Sequence, residues 1–131
     1  MILDTEFLIS LQAEEPGAVE RAAELEADGV PTRIPTVVIQ ELYVNVGAGG
    51  DPNENARAYD ALVANKPVVP LDENIARRAG VLEGEHLTSD SKPTLGPGDA
   101  IVAATGLVHN EPVVTNDTDF ETVDSLPVEL Y

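Results

Sequence analysis

The sequence predicts an α/β domain of three layers, in which a central parallel sheet of about four or five strands is flanked by helices. Short apolar runs recur along the chain, and each is followed by a helix-like segment, as in a parallel sheet. Strands and helices alternate from one end to the other, which is the pattern of an α/β fold. The length of 131 residues favours one domain over residues 1–131.

The first predicted strand indicates where a binding site would lie. Met1, Ile2 and Leu3 form an apolar run that stops at Asp4, and a helix-like pattern begins at Glu6. Parallel sheets bind ligands at the carboxyl ends of their strands. Asp4 therefore lies where a site is expected.

The later elements are predicted from capping and helix-breaking residues. Pro16 and Gly17 separate the first two helices, Gly29 ends the second, and Asp51 and Asp72 suit N-cap positions. The further predicted helices are residues 18–27, 37–48, 51–64, 73–87 and 99–109, with a helical turn at 117–123. The further predicted strands are residues 32–36, 67–71, 112–115 and 127–130. In the second helix we expect Val19, Ala22, Ala23 and Leu25 to face inward.

The chain is strongly acidic, with 24 acidic and 7 basic residues and a net charge of −17. Such acidity is typical either of a protein that binds basic partners or mimics nucleic acid, or of a surface adapted to high internal salt. The acids are spread along the chain without a block, which favours a halophilic surface. Cysteine is absent, which excludes disulfides and thiolate metal sites. With no signal peptide and no long apolar run, we expect a soluble cytoplasmic protein with no membrane partner.

Three carboxylates stand out from this acidic background. Asp4 ends an apolar strand, Glu41 falls between Val37 and Val38 on the helical wheel, and Asp99 is the only charge in an apolar helix. Helix capping is the alternative explanation for Asp4 and Asp99. A surface salt bridge is the weaker alternative for Glu41, because its helix face is apolar.

Two more acids, Asp117 and Asp119, follow the predicted strand that ends at Thr115. Capping explains one of them more easily than both. Acids gathered without Lys or Arg nearby would repel one another, and a hard divalent cation removes that cost. Mg²⁺ or Mn²⁺ is the cation that takes such oxygen ligands.

Four segments, in this order and spacing, resemble the PIN domain, and more narrowly the VapC-type toxin ribonucleases of toxin–antitoxin pairs. They are Leu3-Asp4-Thr5, Gln40-Glu41-Leu42, Gly98-Asp99-Ala100-Ile101-Val102-Ala103-Ala104-Thr105 and Thr115-Asn116-Asp117-Thr118-Asp119-Phe120. The resemblance implies an endoribonuclease that hydrolyses RNA with Mg²⁺ or Mn²⁺. It assigns the catalytic and metal-binding roles to Asp4, Glu41, Asp99 and Asp117. Secondary candidates are Asp119, Thr5, Thr115 and Glu6, of which Glu6 departs from the Asn or Ser more usual in the family.

The same resemblance implies three partners: an RNA substrate, a cognate antitoxin and a second copy of the chain in a homodimer. We expect exposed apolar side chains to mark the protein partners. The candidates are Phe7, Leu8 and Leu11 in the first helix, and Tyr43 and Val46 in the third.

Other functions remain open at this stage. Within the family, the chain is alternatively a housekeeping RNA-processing nuclease or a non-catalytic binding module. A phospho-acceptor receiver domain needs a Lys after a late strand, and neither Lys66 nor Lys92 follows Thr115. We interpret His86 and His109 as structural, because metal-assisted hydrolysis does not require them.

Overall fold

The computed structural model describes residues 1–131, which form five strands and six α-helices. The strands are β1 (Ile2–Leu3), β2 (Ile34–Pro35), β3 (Val68–Val69), β4 (Val113–Thr115) and β5 (Val128–Leu130). The helices are α1 (Thr5–Gln12), α2 (Pro16–Ala27), α3 (Thr36–Ala48), α4 (Pro52–Val63), α5 (Glu73–Leu87) and α6 (Pro97–His109), and a short 3-10 helix covers Thr118–Thr122. The predicted α/β fold is confirmed, although the strands are shorter than predicted.

All strand pairings are parallel. One sheet has the order β1-β4-β5, and a second pairs β2 with β3. A parallel bridge between Ile2 and Arg33 joins the two, so the five strands lie in the order β3-β2-β1-β4-β5. Ile2 is opposite Val113 and Leu3 is opposite Val114. This register brings the ends of β1 and β4 to the same edge.

The direction of the chain reverses between β1 and β4. From β1 the chain moves outward to β2 and β3, and then crosses back to β4 on the other side of β1. Since such crossovers are right-handed, α1 to α4 cover one face of the sheet and α5 and α6 the other. A reversal of this kind opens a crevice at the carboxyl ends of the two strands. The residues that follow β1 and β4 border that crevice.

The helix boundaries follow the capping chemistry. The Asp51 side chain accepts a hydrogen bond from the Glu54 N–H at 3.1 Å, and that of Asp72 accepts one from the Ile75 N–H at 2.9 Å. The start predicted for α6 was two residues late, because the helix begins at Pro97. Proline suits a first helical position, since that position has no intrahelical partner for an N–H.

The inner side of α2 differs from the prediction. Ala18 and Leu25 are buried and Ala22 is half-buried, whereas Val19 and Ala23 are exposed. Residues 18, 22 and 25 repeat with the i, i+4, i+7 spacing of one helical stripe. That stripe faces α1, and it leaves Val19 on the solvent side.

The apolar surface expected on α1 is absent. Phe7 and Leu8 are buried, and the Phe7 ring packs edge-on against Tyr131 with centroids 5.0 Å apart. Leu11 and Val46 are half-buried. Among the expected side chains Tyr43 alone is exposed, and it is joined by its neighbour Val44. None of the helices is long and apolar enough to cross a membrane.

Helix α6 contributes six buried residues, and its Gly106 packs tightly against residues before and within β4 and before β5. A Cβ atom on Gly106 would lie 2.8 Å from Leu126 Cδ1, 2.9 Å from the Glu111 carbonyl oxygen and 3.0 Å from Val113 Cγ2. The backbone oxygen and the buried side chains have little room to move. Glycine at this position therefore sets how closely α6 approaches β4.

We predict that Gly106→Ala destabilises the protein by roughly 1–3 kcal/mol, the usual cost of overpacking a core. The matched control is Gly80→Ala in α5, where a Cβ has nothing within 4 Å. The free energy of unfolding of the control should rise by about 0.5–1 kcal/mol, because alanine is the better helix former. Urea unfolding of both variants checks this, and equal midpoints would contradict it.

Candidate functional site

Four carboxylates reach the carboxyl edge of the sheet from different elements. Asp4 follows β1 directly, and Asp117 lies two residues beyond β4. Glu41 is in the second turn of α3, and Asp99 is in the first turn of α6. The fold therefore brings the four predicted acids to the crevice between β1 and β4.

Asp4 is the most buried of the four, with 3% of its surface exposed. Its Oδ1 accepts a hydrogen bond from the Thr5 N–H at 2.8 Å, so Asp4 does cap α1. Its Oδ2 accepts another from the Thr115 hydroxyl at 2.7 Å. Burial raises the pKa of Asp4 to about 7, with help from the charges of Asp99 and Glu41 and against the two hydrogen bonds. Capping is thus only part of the role of this side chain.

Thr115 ties the two strand ends together. Its hydroxyl donates to Asp4 and accepts a hydrogen bond from the Asp117 N–H at 3.0 Å. Asp117 in turn accepts one from the Asp119 N–H at 2.9 Å and caps the 3-10 helix. The buried threonine thereby fixes Asp4 and the backbone of Asp117 relative to each other.

Glu41 is half-buried and makes contact with two other elements. Its Oε1 accepts a hydrogen bond from the Thr5 hydroxyl at 2.9 Å. Its carboxylate lies over Gly98, where a Cβ would be only 2.8 Å from Oε2. The sequence analysis did not single out Gly98 as a site residue. The available signal was a glycine in the first turn of a helix, where residues with side chains are usually preferred.

Asp99 is half-buried, and its side chain does not cap α6. Gly96 occupies the N-cap position, so Asp99 falls on the third residue of the helix. The capping alternative is therefore wrong for Asp99. Burial raises its pKa to about 6, and the charges of Asp117, Glu41, Asp119 and Glu6 act in the same direction. Exposed Glu6 contributes charge from the rim of the site.

No basic side chain is among the main causes of the raised pKa of Asp4 or Asp99. Four of the seven basic side chains form ion pairs elsewhere, and no ion pair involves the four carboxylates: Arg21 pairs with Glu24 and Glu129, Arg33 with Glu111, Arg77 with Glu73, and Lys92 with Asp124. The acidic cluster is therefore left without a counter-charge from the protein.

The donor atoms of this cluster fit a hard divalent cation. Carboxylate and hydroxyl oxygens are the ligands that Mg²⁺ and Mn²⁺ take. Burial, with neighbouring carboxylate charges adding to it, raises the pKa of both Asp4 and Asp99. As the side chains are placed in this structure, no group of three or more His, Asp or Glu residues could hold a metal ion. The charges of these acids thus influence one another, but the side chains do not surround a single position.

A surface cleft of about 470 Å³ lies away from these acids, beside α5 and α6. It is lined in part by Arg77, Arg78 and Lys92, of which Arg77 and Lys92 are in ion pairs. None of the four carboxylates lines it. Its size therefore does not make it the site of the carboxylate chemistry.

The two histidines are separate from the cluster. His86 is buried, and its Nδ1 lies 2.9 Å from the Pro93 carbonyl oxygen, which links α5 to the loop that follows. His109 is exposed at the end of α6. Neither histidine contributes to the pKa shifts of Asp4 or Asp99.

The comparisons with known proteins agree with the α/β fold. The model of the PIN domain family matches residues 1–126. The VapBC2 structure from Rickettsia felis, bound to a promoter DNA fragment, has a chain that superposes with a TM-score of 0.86 at 20% identity, covering 99% of this chain and 97% of that one. For DNA-bound VapBC from Salmonella typhimurium the TM-score is 0.85 at 20% identity, with 98% and 96% covered.

A third structural neighbour is VapC20 from Mycobacterium tuberculosis, described as a toxin that cleaves the sarcin-ricin loop. Its TM-score is 0.68 at 16% identity, with 92% of each chain covered. Among curated proteins, no sequence matches this chain. At these identities the structural neighbours establish the fold.

The site should make the metal-free protein less stable as the pH rises. An aspartate in an unfolded chain has a pKa of about 3.9, whereas burial raises the pKa of Asp4 to about 7 in the folded protein. Between these values the folded protein keeps a proton that the unfolded chain has lost, so the free energy of unfolding falls as the pH rises through this range. We predict that Asp4→Asn is more stable than wild type at pH 8 by roughly 1–3 kcal/mol, because the buried charge is gone.

Melting curves at pH 5 and pH 8, in the presence of a chelator, measure this effect. The control is Asp90→Asn, which removes an exposed carboxylate and changes the net charge equally. If Asp4→Asn gains no more stability at pH 8 than the control, the buried charge of Asp4 is not the cause.

Proposed function

Because this chain belongs to the PIN domain family, we propose that it is a metal-dependent endoribonuclease and the toxin of a VapBC-type toxin–antitoxin pair. The observation that carries the proposal is the cluster of four carboxylates at the crevice between β1 and β4, which contains no protein cation. The proposed reaction is hydrolysis of RNA phosphodiester bonds. The proposed cofactor is Mg²⁺ or Mn²⁺.

Asp4, Glu41, Asp99 and Asp117 are the residues that would hold the cation. A divalent cation at such a site supplies positive charge for the phosphate and lowers the pKa of a coordinated water. This chemistry requires no nucleophile from the protein. The chain has no cysteine, so a thiolate nucleophile is excluded in any case.

The protein's own contribution is to hold the carboxylates apart and correctly oriented. The Thr115 hydroxyl holds Oδ2 of Asp4, and the Thr5 hydroxyl holds Oε1 of Glu41. Each carboxylate keeps lone pairs that are free for a further ligand. Placement of this kind before the substrate arrives is how an active site avoids reorganisation during the reaction.

RNA is the proposed substrate despite the net charge of −17. One structural neighbour is described as a toxin that cleaves the sarcin-ricin loop. For this chain we propose the cleavage of RNA, without proposing that target. At about 1 M salt the Debye length is about 3 Å, so repulsion between the acidic surface and RNA acts only at contact. We therefore also propose that the protein works at high salt.

We further propose a cognate antitoxin and a homodimer. Structural neighbours described as VapBC complexes support the antitoxin. On this chain, exposed Tyr43 and Val44 on α3 offer an apolar surface close in sequence to Glu41. An apolar surface beside a site is suited to a partner that covers both.

The central test is Asp99→Asn. Asn retains the size of the side chain, and because Asp99 does not cap α6, no cap is lost. We predict that RNA cleavage falls by at least about 100-fold, since an anionic ligand is removed. The melting temperature without metal should not fall, because a half-buried charge is also removed.

Cleavage of a mixed RNA pool by the wild type, Asp99→Asn and the exposed control Asp90→Asn measures the effect. Cleavage should require Mg²⁺ or Mn²⁺, stop with a chelator and continue at about 1 M salt. Equal cleavage by wild type and Asp99→Asn, or cleavage that ignores the chelator, would show that the carboxylates are not the catalytic centre.

The assembly is tested separately. We predict that light scattering at about 1 M salt, where charge repulsion is screened, gives the mass of two chains. We predict that the neighbouring reading frame encodes a small protein whose co-expression blocks RNA cleavage. Val44→Asp should weaken that inhibition about ten-fold or more by placing a charge in the apolar contact. A mass of 13.9 kDa, that of one chain, would count against the dimer.

A further inference from the structure

Glu41 is held from two sides. Its Oε1 accepts the hydrogen bond of the Thr5 hydroxyl at 2.9 Å. On the other side it lies against Gly98, where a Cβ would be 2.8 Å from Oε2, 3.1 Å from Cδ and 3.2 Å from Oε1. These three atoms, all of Glu41, are the nearest that a side chain at position 98 would meet.

The backbone gives no reason for a glycine at this position. Gly98 is in the first turn of α6, and among the glycines only Gly29 has a positive φ. Alanine would be accepted by the same backbone and would favour the folded state by about 0.4–1 kcal/mol. The remaining explanation for a glycine at position 98 is that the Glu41 carboxylate needs the space.

We propose that Gly98 is a positioning residue, whose missing side chain lets the Glu41 carboxylate lie against the first turn of α6 beside Asp99. The inference rests on the proposed function, because it assigns both acids to one divalent cation. The Thr5 hydroxyl holds the Glu41 carboxylate through a hydrogen bond, whereas Gly98 leaves free the space that this carboxylate occupies. Glu41 is the far end of a flexible side chain, so a methyl group at position 98 displaces Glu41 rather than the backbone.

The proposal predicts that a substitution at Gly98 changes metal binding without lowering stability. Gly98→Ala should leave the stability of the metal-free protein unchanged or slightly higher, because the displaced group is flexible and alanine favours the helix. It should weaken the binding of Mn²⁺ by about ten-fold or more, which is the usual effect of losing the support of a metal ligand. A purely structural glycine would show the opposite, with lower stability and unchanged affinity.

The experiment is titration of the full chain with Mn²⁺, in which the EPR signal of the free ion gives the dissociation constant. Melting curves in the presence of a chelator are recorded in parallel. Gly80→Ala is the matched control, since it makes the same substitution in a helix where the new Cβ meets nothing. Gly80→Ala should bind Mn²⁺ as the wild type does.

A double-mutant cycle tests whether Gly98 acts through Glu41. In the Glu41→Ala background, Gly98→Ala should cause no further loss of Mn²⁺ affinity, because the displaced carboxylate is already gone. Unchanged affinity in Gly98→Ala, loss of its fold, or an equal loss of affinity in both backgrounds would overturn the inference. If Asp99→Asn loses affinity while Gly98→Ala does not, the inference alone fails. If the wild type binds no Mn²⁺, the proposed function fails with it.

Discussion

The pairing of β1 with β4 is the constraint on which the site depends. Because Leu3 lies opposite Val114, the next residues along the two strands, Asp4 and Thr115, come together in the buried edge of the sheet. A shift of one residue in this register would turn Asp4 to the other face of the sheet. Burying a carboxylate without a cation is unfavourable, and two hydrogen bonds offset only part of the cost. The fold thus gathers carboxylates along the crevice between β1 and β4.

That cluster is distinct from the general acidity of the protein. Most carboxylates are exposed to water, where neighbouring charges are screened by salt. Asp4 and Asp99 are screened less, because they are removed from solvent, and their raised pKa values express this difference. Net charge alone therefore does not single out this cluster, whereas burial together with the absence of an ion pair does.

Local signals made most of the fold predictable from the sequence. Caps such as Asp72 and breakers such as Pro16 mark helix ends chemically, and the apolar runs mark the strands. Asp4, Glu41 and Asp99 were predicted because each departs from apolar surroundings, and Asp117 because it follows the end of a strand. What the sequence could not supply were relations between distant segments: the burial of Phe7 by Tyr131, and the approach of Gly98 to Glu41 across two helices. These depend on packing, which has no local signature.

The brevity of the strands has a consequence for self-association. No strand exceeds three residues, so the outer strands β3 and β5 offer only a few unpaired amide and carbonyl groups to another molecule. Long exposed edges are templates for intermolecular sheet growth, and very short ones are a known protection against it. When salt screens the mutual repulsion of acidic chains, this geometric protection is retained, because it does not depend on charge. The short edges therefore limit intermolecular strand pairing at any salt concentration.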